Sequence, residues 1–181
     1  MLDRRRRWWV LANDRVRQDQ LGVALMESTA REIRGLVMTV AGGHLLVPNS
    51  NVSEIITAAT PEPVANAPRW LLGRVRWRGW RVPLVSVSLM SGMADRDDAP
   101  NAKVAVLKSL GNNPRLPFVA LLCMGFPRLT TVTAENLVAA PLGDSCPTGI
   151  RTGVMLNDQS AVIPDLPAIE SLVESALRDA A

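Results

Sequence analysis

Apolar and polar residues alternate with a period of two through much of this chain, the pattern of strands with one buried face. The clearest case runs Arg, Val, Arg, Trp, Arg from Arg74 to Arg78. Alternate side chains on a strand point to opposite faces, so Val75 and Trp77 share one side and the arginines the other. Gly79 supplies a turn, and Val82 to Val87 reads as a returning strand. Residues Arg69 to Val85 therefore predict a hairpin with one apolar face and one strongly cationic face.

The same reading organises the rest of the chain. Ile33 to Val40 is a strand rich in β-branched residues. Gly42-Gly43 is a two-residue hairpin signal, and His44 to Pro48 returns as its partner. Asn51 to Ile56 is a short helical or extended element. Residues 58–68 hold three prolines and read as an irregular connection. Ser88 to Gly92 fits one short helical turn. The polar loop 94–102 reads as the junction between two halves. Lys103 to Leu110 is a strand, and Gly111-Asn112-Asn113-Pro114 is turn chemistry. Leu116 to Met124 is a nearly continuous apolar strand, as expected where both faces are buried. Arg128 to Thr133 is a further strand, and Ala134 to Ala140 a short helical stretch or loop.

Near the C-terminus, Thr152 to Leu156 and Ser160 to Ile163 flank the turn Asn157-Asp158. A final helix follows, with Asp165 as N-cap and Pro167 in its first turn. Its apolar positions Leu166, Ile169, Leu172, Val173, Ala176 and Leu177 recur at three and four, which lays one stripe on the β body. Nine or ten short strands with little helix predict an all-β architecture of one or two small barrels.

Composition narrows the class. Of 181 residues, 48% are apolar and 20% charged, so a packed core is expected rather than disorder. No apolar stretch reaches the roughly 18–20 residues needed to cross a bilayer. The start lacks a secretory signal pattern, and cytoplasmic residence without direct membrane insertion is expected. Cys123 and Cys146 lie at no metal-ligand spacing, and Cys123 reads as a small core hydrophobe.

The net charge of +3 is unevenly placed. Residues 1–17 carry six arginines and two aspartates, whereas the remainder holds 14 basic and 15 acidic groups. The basic balance thus belongs to residues 1–25, a basic extension. Arg4 to Arg7 followed by Trp8-Trp9 suits contact with an anionic membrane or nucleic acid. The reading preferred over that contact is a mobile tail, or upstream sequence with Met26 the true start. The nearly neutral body does not steer the protein to nucleic acid.

Reactive chemistry is sparse. His44 is the single histidine, and no nucleophile elbow, phosphate loop or dinucleotide fingerprint occurs. Asp95, Asp97 and Asp98 fall in a loop that they solvate. The expectation is a protein that is not an enzyme and uses no cofactor or metal. Trp70, Trp77 and Trp80 cluster beside the arginines, and Trp and Arg are enriched at protein-protein hot spots. Trp77 shares parity with Val75 and reads as core, Trp70 as a barrel cap, and Trp80, beside the turn glycine, as exposed.

These features, in order, resemble a known family. Leu46-Val47-Pro48 followed by Val52 to Ile56 is similar to the first-barrel pattern of CheW-like coupling proteins of bacterial chemosensory arrays. Ala67 to Gly73, then Arg78-Gly79, then Val82-Pro83-Leu84-Val85 resembles the family's proline, hydrophobic-glycine, arginine-glycine and hydrophobic-proline sequence. Val104 to Leu107, Phe118 to Leu122 and Arg128 to Val132 are similar to its later strands. The Trp-Arg-Gly wording and Gly111 to Phe118 resemble most the divergent members that serve type IV pilus (twitching motility) systems. One departure is Ser86, where the family often has Asp.

What the resemblance implies is a CheW-like domain over residues 30–178, built as two five-stranded barrels with a C-terminal helix. It implies a non-catalytic adaptor between the cytoplasmic tip of a chemoreceptor and the regulatory domain of a CheA-type histidine kinase, recruited to membrane-associated arrays. Arg78 corresponds to the family's contact arginine, and an Arg beside a turn glycine presents a planar, bidentate donor. The expected binding residues are Arg78 first, then Trp77, Gly79 and Trp80, followed by Glu54 and Arg76. The density of arginine at Arg74, Arg76, Arg78 and Arg81 suits an acidic partner surface, or guards an exposed strand against edge pairing. The rival reading is a small-barrel nucleic-acid binder that uses the same arginines and tryptophans.

Overall fold

A computed structural model describes residues 32–97, 101–111, 113–143 and 146–180. The basic extension expected over residues 1–25 lies outside them. Strands β1 (Ile33–Val40) and β2 (Gly43–Pro48) form the first hairpin, and β3 (Val52–Thr57) follows. Then come β4 (Leu71–Trp77), β5 (Trp80–Val85) and helix α1 (Val87–Ser91). β6 (Ala102–Lys108), β7 (Phe118–Met124), β8 (Arg128–Val132) and β9 (Leu137–Ala139) precede the last hairpin, β10 (Ile150–Leu156) and β11 (Gln159–Pro164). Helix α2 (Leu166–Asp179) closes the described chain.

The strands form two sheets. One has six strands in the order β8-β1-β2-β11-β10-β9, the other five in the order β3-β6-β7-β5-β4. All neighbours pair antiparallel except β11 with β2 and β5 with β7, which are parallel. The last hairpin therefore returns to the first.

Loop 94–102 does not divide the halves as expected. β4 and β5 before it and β6 and β7 after it share one sheet. The parallel β5–β7 contact, Leu84 opposite Ala120, is what joins them. Such a pairing links strands distant in sequence and leaves no trace in local alternation.

Alternation along the central strands feeds three cores. In β6, Val104 and Val106 enter a core inside the five-stranded sheet, while Ala105 and Leu107 face a larger central core. β7 repeats this with Ala120 and Leu122 on one side and Val119, Leu121 and Cys123 on the other. β1 and β2 send Val37 and Leu46 into the six-stranded sheet and Met38, Leu45 and Val47 into the central core. The near-continuous apolar run of β7 is thus a strand buried on both faces, as expected.

Helix α2 covers the central core with Ile169, Val173 and Ala176. Asp165 caps it, its side chain accepting from the Ala168 N–H at 3.2 Å. Between two apolar positions of this helix sits the buried Glu170. Its two carboxylate oxygens accept from the backbone N–H groups of Leu110 and Gly111, each at 2.7 Å. Asn113 donates to Glu174 one turn further on, at 2.7 Å. The turn between β6 and β7 is therefore tied to the helix by side chains.

Three local expectations are corrected. Residues 137–139 form a strand, neither the helical stretch nor the loop expected over 134–140, because they extend the sheet beside β10 with Val138 opposite Met155. The first hairpin turns at Ala41-Gly42, since Val40 pairs with Gly43. The strand expected over Val82 to Val87 runs from Trp80 to Val85. Ser86 ends it by capping α1, its Oγ accepting from the Leu89 N–H at 3.1 Å.

Candidate functional site

The β4–β5 hairpin turns on two residues. Trp77 pairs with Trp80, and Arg78 and Gly79 between them have φ of 45° and 82°. Two left-handed residues in a two-residue loop make a type I′ turn, whose twist matches the flanking strands. Gly79 takes this conformation without cost, whereas an arginine there costs about 1 kcal/mol. Asn-Gly is the pair favoured on backbone grounds alone, so the residue at 78 is explained by its side chain.

That side chain is held by Glu54. The carboxylate Oε2 accepts from Arg78 Nε at 3.0 Å, from Arg78 Nη2 at 2.9 Å and from the Trp77 indole Nε1 at 2.8 Å. A β-bulge between Val52 and Glu54 resets the register of β3 just before this residue. The Arg78 guanidinium also lies over the Trp77 ring, 5.2 Å from its centroid. It remains 69% exposed, so its outer edge faces solvent in a fixed orientation.

β3 and β4 are the two edges of the five-stranded sheet. Glu54 therefore bridges edges that no backbone ladder joins, and the sheet curls to bring them together. Trp77 lies inside the curl, buried, with its ring edge-on to Phe118 at 4.8 Å. Trp80 is 47% exposed and meets the same Phe118 at 5.9 Å. Trp70 is partly buried against the central core. Arg76, on the opposite face from Trp77, is exposed.

A second carboxylate organises the cationic face. Glu62, in the Pro-rich connection, forms a β-bridge with Arg74, each donating its N–H to the other's carbonyl at 2.8 Å. Its side chain accepts from Arg76 Nε at 2.6 Å and pairs with Arg81 Nε at 3.7 Å. The hydrogen bond from Arg76, with the charges of Arg76, Arg81 and Arg74, holds the Glu62 carboxyl below the ordinary glutamate range against a desolvation cost. Gly73 permits the close approach: at φ of 136°, a Cβ there would strike the Glu62 carbonyl oxygen.

Glu54, Trp77, Arg78, Gly79 and Trp80 gather at the hairpin tip, whereas Arg76 lies on the opposite face with Glu62. Glu62 is added by the structure. Its only signal was an acidic residue in a segment read as irregular. Ser86 is fully buried and hydrogen-bonds the Asp97 side chain, so no partner reaches position 86 directly.

Other chemistry stays apart from the hairpin. His44 lines an open groove of about 430 Å³ with Gly42, Met93, Ile150 and Val162, and among the described residues no Asp, Glu, Lys or Arg lines it. Cys123 is buried, and burial pushes its thiol up to about 11. Among the described residues no group of three His, Cys, Asp or Glu is placed to hold a metal ion. No described helix is long and apolar enough to cross a membrane.

The geometry can be set beside known proteins. The family model of the CheW-like domain matches residues 34–174. The chain belongs to the CheW-like domain family. The crystal structure of the scaffolding protein TtCheW from Thermoanaerobacter tengcongensis is similar, with a TM-score of 0.63 at 13% identity. The likeness covers 77% of this chain and 88% of that one. At that identity it speaks for the fold, two sheets and a terminal helix. Among curated proteins none matches the chain. The CheW-like domain here carries six and five strands per sheet, the three-residue β9 lying at the edge of the larger one.

Proposed function

We propose that this protein is a non-enzymatic adaptor of a bacterial chemosensory array. In this reading it links the cytoplasmic tip of a chemoreceptor to the regulatory domain of a CheA-type histidine kinase. The observation that carries the reading is the CheW-like domain match over residues 34–174. The hairpin supports it physically. Arg78 is aimed outward by Glu54, stacked on Trp77 and flanked by the exposed Trp80. An oriented arginine beside an aromatic side chain suits a docking hot spot.

Two sheets sharing one central core also suit a coupling role. A partner on one sheet that favours one packing of that core biases the surface offered by the other. Within the adaptor role, the Trp77-Arg78-Gly79-Trp80 wording and the segment Gly111 to Phe118 support the subclass that controls type IV pilus twitching. A strain lacking this protein then shows a reduced twitching zone.

Co-purification with a CheA-type kinase tests the adaptor reading. The wild-type protein retains the kinase, and Arg78→Ala weakens retention with little change in Tm. A protein that retains neither kinase nor receptor fragment is not this adaptor.

A further inference from the structure

On the outer face of the β4–β5 hairpin, Arg76 stands directly opposite Arg81. Like charges facing each other across an antiparallel pair are unfavourable unless an anion lies between them. Here Glu62 does so, one carboxylate oxygen toward each arginine Nε. Both guanidiniums are held by one edge only, and among the described residues their terminal Nη groups have no acceptor. Their side chains are 77% and 63% exposed. Arg74 adds a third positive charge beside the same carboxylate. Three guanidiniums against one carboxylate leave the face with an excess of two positive charges, its donors pointing outward.

We propose that Arg76 and Arg81, oriented by Glu62, form a docking platform for an acidic segment of a partner protein. The occupant is committed by charge and by shape. A guanidinium fork pairs bidentately with a carboxylate, and two forks set side by side match carboxylates spaced along a peptide. This platform lies on the face opposite Trp77 and is separate from the Arg78–Glu54 pair. It rests on the adaptor reading only for which partner supplies the acidic segment; the chemistry of the platform stands without it.

The test uses the full chain and a fluorescein-labelled octaglutamate peptide at low salt, read by anisotropy, with circular dichroism as a check of folding. The wild type binds the peptide. Arg76→Ala with Arg81→Ala weakens binding about five- to thirtyfold, as expected for two exposed charge pairs. The charge-conserving Arg76→Lys with Arg81→Lys weakens it several-fold, because the fork is lost while the charge stays. Arg34→Ala with Arg115→Ala, exposed arginines elsewhere, leaves it unchanged.

No peptide binding by the wild type overturns the proposal, as does equal binding by the lysine variant or equal loss in the Arg34/Arg115 control. Tighter binding to a random single-stranded oligonucleotide than to the peptide also overturns it, in favour of a nucleic-acid surface. The assay contains no kinase, so failure of the adaptor reading and failure of the platform give different results.

Discussion

Glu54 accepts the Trp77 indole N–H at 2.8 Å, and the two residues come from opposite edges of the five-stranded sheet. The same oxygen holds Arg78. One carboxylate therefore closes the sheet and aims its docking residue. Glu54→Ala leaves the buried indole N–H without an acceptor, a loss of about 1–2 kcal/mol. The Tm falls by about 2–8 °C for a chain of this size. Glu54→Gln keeps an acceptor for Trp77 but no charge for Arg78, so it recovers most of the stability and little of the partner binding. Thermal unfolding and kinase co-purification on the two variants check this separation.

Arg78→Asn separates docking from folding more sharply. Asn suits the left-handed φ of 45° at this position better than Arg does. The gain opposes the loss of an exposed ion pair worth about 0–1 kcal/mol. The variant is expected within about 0.5 kcal/mol of wild type, or more stable, while losing partner association. Urea unfolding gives the first quantity and co-purification the second. A variant as destabilised as Glu54→Ala would make Arg78 a structural residue.

What was legible in the sequence was what local periodicity encodes. The parity of Val75 and Trp77 against Arg76 predicted the buried and exposed faces of β4, and Asp165 announced the start of α2. The Arg78-Gly79 step located the turn. Strand partners distant in sequence were not legible, since β5 beside β7 and β11 beside β2 are chosen by shared cores and not by neighbours. Glu62 was hidden for a related reason. Its role arises from one bridge to Arg74 in a segment without periodicity.

The Glu62 contact carries a pH signature. A folded-state pKa held below the ordinary value near 4.5 means that folding favours the ionised carboxylate. Its contribution is fully present above that value and is lost as pH falls through the lowered one. The Pro-rich connection 58–68 is therefore expected to stay docked on β4 from neutral pH to about pH 5 and to loosen in stronger acid. Amide hydrogen exchange at Arg74, whose N–H is bonded to the Glu62 carbonyl, reports the loosening. In Glu62→Gln the acid-dependent part of that change disappears. An identical profile in the variant would place the transition on another group.

Glu170 ties helix α2 to the end of the β6–β7 connection, apart from the docking hairpin. The helix stripe marks positions 169, 173 and 176 as core, and a glutamate beside such a stripe is ordinarily left in solvent. Instead it is 6% exposed, and both oxygens accept backbone N–H groups from Leu110 and Gly111. Those donors lie at the end of β6, where the chain turns toward β7 and no ladder satisfies them. Removing the acceptor loses two hydrogen bonds to a charged group, each worth about 1.5–3 kcal/mol before water replaces the acceptor at the exposed Leu110 and Gly111. Glu170→Ala is thus expected to lose about 2–4 kcal/mol. Glu170→Gln, which keeps one acceptor oxygen, is expected to lose about half of that. Denaturant unfolding measures both. Because the hairpin is untouched, the alanine variant should retain partner binding at temperatures where it is still folded; loss of binding there would mean that α2 also shapes the docking surface.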